Sequence, residues 1–442
     1  MADAGDLRDR LFETLYYYHA FPPGMNLATG VLLEMGDARA AGLAHAFFWA
    51  LGLVLVNVMC YVARAAGLST RVAAMLTLAF ALTPASIYFA HLYHYEWPVA
   101  TLLCLAAALF FCGVRRPSFG AWLACFSTCA IVALTRSTFH PVWYIAVAAL
   151  AASFVERPVR RRVFVAAAAP ALVLFGVCLK NALLFGDFAV STFGPSSLTL
   201  ATIAHLPDDV RDEWIGAGKL SPYAAVSVYA PPRDYARFFQ TAEHERWPSQ
   251  LTRLEHASAD APNYNHWWLL DSQRARRSDV FYYIASRPLD YLANVVGNVR
   301  DMAGPTTAWH PRDGTPASPH YRHRTLLGGY ETWFNRVVHD FPVPPLGLYL
   351  FVPIPLVWAC ARAWSRSRNF DPDERARTAL IVFLLFQIVY VVAASAMLTS
   401  LESSRYRYQI EWMIWVVTAL FVARLWQPIR RWRLLGAYNP LS

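Results

Sequence analysis

EWPVATLLCLAAALFFCG, residues 96–113, decides the fold. After Glu96 the run carries no charge and no alternation of polar and apolar positions, and it ends against Arg115 and Arg116. Its length is near the roughly 20 residues a helix needs to cross a hydrocarbon core of about 30 Å. Eight further stretches have the same character: 41–63, 72–90, 119–135, 138–155, 163–180, 346–364, 377–399 and 408–426. With 56% hydrophobic and 16% charged residues, a soluble domain of this length would need a larger core than such domains possess. The expectation is an all-α polytopic membrane protein of about nine transmembrane helices with a large extracytoplasmic loop. It divides into an outer segment at 1–40, a six-helix half at 41–180, a loop region at 181–345, and a three-helix half with a cytoplasmic tail at 346–442.

The connections sort into two sets. One is basic: Arg64 and Arg71, Arg115 and Arg116, Arg157 with Arg160, Arg161 and Arg162, Arg362 with Arg366 and Arg368, and Arg430, Arg431 and Arg433. Basic loops stay on the cytoplasmic side. The other set, at 19–23, 91–97, 136–140, 180–187 and 402–407, pairs His, Tyr, Glu, Lys and Arg; by alternation it faces the extracytoplasmic side. The net charge of +9 is explained by arginines beside spans, where topology and anionic lipid account for them, so no nucleic-acid partner is expected. The seven cysteines fall inside apolar runs without zinc spacing and read as packing residues. Met1 to Arg10 is polar with no signal-peptide pattern, and since the alternation puts it outside, a first span upstream of Met1 is expected.

Residues 181–345 are rich in Pro, Trp, Tyr and charge and contain no span. Within them 279–302 places Phe281, Ile284, Leu289, Leu292, Val295, Val296 and Val299 at near-helical spacing, interrupted by Pro288. One amphipathic helix, or two short ones, is expected on the membrane surface or on the bundle. His310, His320 and His323 lack regular metal spacing.

On the outer set, Pro22 and Pro23 force a corner after Tyr18 and His19 that could hold either toward a site. Glu96, beside His91, Tyr93, His94 and Tyr95, sits where Pro98 opens a helix. It is either a carboxylate favoured by the helix dipole or a tuned general base. Arg136 and Lys180 end spans, where cations cap helices or bind ligands. Arg405 and Arg407 stand at a helix start, where positive charge opposes the dipole unless an anion is bound. Glu402 or Glu411 could supply it, and a phosphate, matched by a guanidinium in bidentate fashion, is the stronger candidate.

Tyr18-His19 with Pro22-Pro23, the run from Pro84 to Tyr95-Glu96-Trp97-Pro98, Leu134-Thr135-Arg136-Ser137, Lys180-Asn181-Ala182-Leu183-Leu184-Phe185-Gly186, and Arg405-Tyr406-Arg407 follow in an order that resembles the GT-C superfamily of membrane glycosyltransferases. That class includes protein O-mannosyltransferases and aminoarabinose transferases. The resemblance covers nearly the whole chain and implies transfer of a sugar from a polyprenyl-phosphate donor to a glycan, lipid or protein acceptor outside a bacterial inner membrane, usually with inversion. It implies a first acid in an outer loop, with Asp3 and Asp6 nearest that place, and a second acid at Glu96. Substrate-binding positions would be His19, His94, Tyr95, Arg136, Lys180, Asn181, Arg405, Tyr406 and Arg407. No cofactor is required by this reading; a divalent metal could bridge carboxylate and phosphate, though no compact oxygen cluster demands one. Two other classes remain: an outer-face polysaccharide polymerase or ligase, relying on arginine without an acid, and a polyprenyl-lipid flippase or transporter, expected to carry charged or broken helices near the midplane.

Overall fold

The computed structural model describes residues 1–239, 247–304, 371–400 and 403–436, together with Thr306, Tyr330, Trp333, Phe334 and Arg336. The expected span at 346–364, the basic loop with Arg362, Arg366 and Arg368, the three loop histidines, Cys360 and Glu402 lie outside these residues. Among the described residues the chain is helical, and its only β-type pairing is one isolated bridge, Glu255 with Pro262.

Three short helices come first: α1 Ala4–Asp9, α2 Leu11–Tyr17 and α3 Gly24–Glu34. The bundle follows as α4 Asp37–Ala65, α5 Thr70–Ala81, α6 Pro84–His91, α7 Glu96–Arg115, α8 Phe119–Thr135, α9 Pro141–Ser153 and α10 Arg157–Phe185. The intervening region holds α11 Gly194–Ala201, α12 Asp208–Gly216, α13 Ser249–Thr252, α14 Trp268–Ser286 and α15 Pro288–Met302, and the bundle closes with α16 Pro372–Leu398 and α17 Ser403–Gly436. Among the described residues, four helices are long and apolar enough to cross a membrane: Arg39–Ala65, Glu96–Arg115, Arg157–Phe185 and Pro372–Leu398. α5 and α6 make a fifth only as a pair bent by 60°, so the expected span at 72–90 is a broken one. The break is local chemistry: Thr83 turns its hydroxyl onto the Ser86 N–H at 3.2 Å, and Pro84 opens the new helix. α8 and α9 are apolar but shorter.

α7 is the axis of the bundle, with 78% of its apolar window buried against 28% for α4, which turns most of its surface outward. Close approach explains the burial. A side chain at Gly113 would meet the Trp122 ring at 2.9 Å, so α8 packs against bare backbone there. On the other flank Phe110 and Phe383 lie with ring centroids 4.7 Å apart, joining α7 to α16. The described cysteines are free, and Cys104, Cys125, Cys129 and Cys178 are buried in this core.

The two ends of the bundle differ as the connections do. At one end Arg115 pairs with Asp373 at 2.6 Å and Arg375 with Glu156 at 3.2 Å, tying together the C-terminus of α7 and the N-termini of α10 and α16. At the other end the starts of α7 and α17 meet the end of α8. The intervening region sits at that second end: Asn294 and Asn298 of α15 donate to Ala201 and Ala396 carbonyls, and Ser400 donates to Leu200. The amphipathic stretch is two helices, since Pro288 takes the first position of α15 after α14 has ended.

Candidate functional site

Two helix starts and one helix end build the site. Tyr95 is the N-cap of α7 and Glu96 its first residue; Arg405 and Tyr406 lie in the first turn of α17; Arg136 follows the last residue of α8. Glu96 is fully buried, and its carboxylate lies 3.1 Å from Arg405 Nε while its other oxygen bonds His94 Nδ1. Arg405 also donates from Nη2 to the Tyr95 hydroxyl at 3.0 Å. A cation in the first turn of a helix opposes the dipole, and one carboxylate shared by two N-termini offsets both. Withdrawing two such charges from water costs several kcal/mol per ion, roughly recovered only where further hydrogen bonds complete the pair, as His94 and Tyr95 do here.

Arg136 is held differently. Its guanidinium carbon sits 4.0 Å from the Tyr95 ring centroid on one side and 4.1 Å from that of Tyr406 on the other. Each face of this sandwich is worth about 0.5–2 kcal/mol. Its Nε and Nη2 are buried without a hydrogen-bond partner, and among the described residues no carboxylate pairs with it. Buried guanidinium donors left unmet are costly, and a guanidinium is the side chain that pairs with an oxyanion in bidentate fashion.

Arg136 stands in the wall of a cleft of ≈ 250 Å³. Arg136, Arg405, His94, Tyr95 and Tyr406 line it on one side, and Tyr18, Phe21, Asn26, Ser197, Tyr229 and Tyr264 on others. Glu96 stands behind this wall and does not line the cleft, nor does any other described carboxylate. Burial lowers the His94 imidazole below its ordinary value, against the pull of Glu96. Beside the cleft, sharing Tyr93 as a common wall, an apolar groove of ≈ 290 Å³ runs between α3, α4 and α6, lined by Leu32, Leu33, Ala44, Phe48 and Ala90 among others. The Tyr93 hydroxyl lies 3.1 Å from that of Thr29.

The sequence candidates divide accordingly. His94, Tyr95, Glu96, Arg136, Arg405 and Tyr406 come together. Asp3 does not join them: it caps α1, and its carboxylate accepts from Gly5, Asp6 and Ser258. Burial raises its pKa, but those bonds hold it below the usual range. Asp6 is paired with Arg10 at 2.7 Å and Arg253 at 3.3 Å, and both aspartates line a separate small pocket with His256. Both aspartates, expected nearest the place of a first acid, thus spend their carboxylates on contacts away from the cleft of Arg136 and Arg405. His19 is buried between Thr192 at 2.8 Å and the Asn265 carbonyl at 3.1 Å, which burial accompanies with a pKa pushed down to about 3; it is a neutral strut. Lys180 donates to the Leu15 and Tyr18 carbonyls and caps α2, and Asn181 donates to the Ala189 carbonyl. Arg407 donates to the Met302 carbonyl and lies 3.8 Å from Glu411, two residues from Arg405 yet outside the cleft. The corner at Pro22 delivers Tyr18 and Phe21 to the cleft, while His19 turns away. Asn26, Ser197, Tyr229 and Tyr264 gave no signal in the sequence because they reach the cleft only through the packing of segments far apart in the chain.

Among the described residues no three His, Cys, Asp or Glu side chains are gathered closely enough to hold a metal ion. No family model and no curated protein matches the sequence. Among solved structures, the crystal structure of ArnT from Cupriavidus metallidurans in the apo state is similar over 90% of this chain and 73% of that one, at 17% identity and a TM-score of 0.31. A likeness that low assigns no function.

Proposed function

We propose that this chain is a membrane glycosyltransferase, moving a sugar with inversion from a polyprenyl-phosphate donor to a glycan, lipid or protein acceptor at the extracytoplasmic face of a bacterial inner membrane. One observation supports this most: the buried Arg136 guanidinium, fixed between two tyrosine rings with unmet donors, in the wall of a cleft. In the reaction the donor phosphate sits against Arg136 and Arg405, and the prenyl chain runs into the apolar groove past Tyr93. The acceptor oxygen attacks the anomeric carbon, its proton passes to His94, and the sugar–phosphate bond breaks with its electron pair going to the phosphate oxygen. Fixed guanidinium groups stabilise the charge that grows there, most effectively where water is scarce. Glu96 is a positioning residue in this scheme. It orients the His94 ring, stabilises the imidazolium that forms and holds Arg405 in place.

A second reading is favoured by one feature. No described carboxylate lines the cleft, which suits an outer-face polymerase or ligase that works with cations alone. Both are tested in lipid nanodiscs with a polyprenyl-phosphate donor labelled in its sugar and envelope fractions as acceptors, with wild type compared to Arg136→Ala, His94→Gln and Glu96→Gln. The transferase reading expects label transfer by wild type, a loss of about 10²–10³-fold in kcat/KM for Arg136→Ala, the size seen when one oxyanion donor is removed, and a changed pH profile for Glu96→Gln. Full activity in both His94→Gln and Glu96→Gln would favour the polymerase or ligase. Wild-type protein that neither transfers label nor releases polyprenyl phosphate contradicts both.

A further inference from the structure

α15 is an amphipathic helix mounted the wrong way round for a protein in water. At about 100° per residue, Leu289, Leu292, Val296 and Val299 form one narrow stripe, and they are 77%, 57%, 68% and 36% exposed. The opposite face is polar and is the one bound to protein. Tyr291 donates to the Met397 carbonyl at 3.1 Å, Asn298 to the Ala396 carbonyl at 2.9 Å, and Asn294 to the Ala201 carbonyl at 3.2 Å. Ala396 and Met397 belong to the last turn of α16, whose final carbonyls have no partner within their own helix. The polar face of α15 thus caps the end of a membrane-crossing helix, which fixes α15 at the depth where that helix leaves the hydrocarbon. Exposed Arg300 lies on the same side as the stripe, placed for an anionic headgroup.

We infer that α15 is a membrane-surface helix whose stripe of Leu289, Leu292, Val296 and Val299 is seated in lipid at the boundary of headgroups and acyl chains. The occupant is bilayer lipid because the stripe continues, at the level of a helix end, the surface that α16 already turns outward through exposed Val389 and Met397. An apolar stripe with its polar face tied down has no other way to leave water without a covering chain. The seat also touches the helix that carries Arg405: the Met302 carbonyl at the end of α15 accepts from Arg407, two residues from Arg405.

The test places the photoreactive residue p-benzoylphenylalanine at Leu292 or Val296, and at Asp290 or Asp301 for comparison, in the full chain reconstituted in vesicles of phosphatidylethanolamine and phosphatidylglycerol. All four positions are exposed, and equal thermal unfolding of the variants checks that the fold is kept. After irradiation, mass spectrometry should find at least tenfold more lipid adduct at 292 and 296 than at 290 and 301. Equal or absent lipid labelling at 292 and 296 overturns the inference. So do adducts to peptide, from this chain or a second copy, because the stripe would then be covered by protein.

Discussion

At the residue scale, Arg136 and Lys180 differ in what their donors meet. Lys180 and Arg136 both stand at helix ends, and sequence gives them the same standing. Lys180 spends its donors on two carbonyls, whereas Arg136 keeps two unmet. Spacing along one chain cannot reveal that difference, because it is decided by which loop lies opposite. Arg136→Lys keeps the charge but loses the planar fork and the stacking; donor KM should rise at least tenfold with the melting temperature little changed, as steady-state kinetics and thermal unfolding would show. Glu96→Gln removes the carboxylate that faces Arg405 at 3.1 Å and should cost about 3–5 kcal/mol, the range for breaking a buried pair, measurable by denaturant or thermal unfolding in detergent. His19 carries a pH signature. Its folded value of about 3 lies below the ordinary 6.5, so the unfolded chain takes up a proton first as pH falls, and stability drops from about pH 6.5 down toward 3. His19→Gln should flatten that part of the profile in a series of thermal melts.

At the element scale, the break at Pro288 was legible, whereas the one at Pro84, inside a stretch that reads as a single span over 72–90, and the seams between elements were not. Pro84 and Pro288 mark helix starts that the residues themselves dictate. The contact between α3 and α8 was invisible, although it sets the position of Arg136. A side chain at Gly24 would lie 2.7 Å from the Leu134 carbonyl oxygen and 2.7 Å from Thr135 Oγ1. The corner at Pro22 and Pro23 is therefore pressed against the last turn of α8, with Arg136 next in the chain. Gly24→Ala must push that turn aside, at a cost of about 1–3 kcal/mol. It should weaken donor binding as much as it weakens the fold, read by comparing ligand affinity with melting temperature. An unchanged affinity would mean the seam does not position Arg136.

At the scale of the whole molecule, the sorting of connections by charge was the most productive reading. It placed Glu96 and Arg405, more than three hundred residues apart in sequence, at one end of the bundle, and they meet at 3.1 Å. Among the described residues, the basic connection at Arg115 lies at the other end, where Arg115 and Asp373 pair and Arg375 meets Glu156 beside Arg157. Charge bias works because it reflects a global constraint, the cost of carrying guanidinium groups across lipid. The fate of Asp3 and Asp6 obeys only local contacts with Ser258 and Arg253, which no global rule reaches. The central claim is that this end of the bundle holds a lipid-linked phosphate between Arg136 and Arg405. It is tested most directly by equilibrium binding of a radiolabelled polyprenyl monophosphate to the protein in nanodiscs, wild type against Arg136→Ala. The account predicts saturable binding that weakens at least tenfold in the variant while the fold is kept; equal affinity for the two proteins would contradict it.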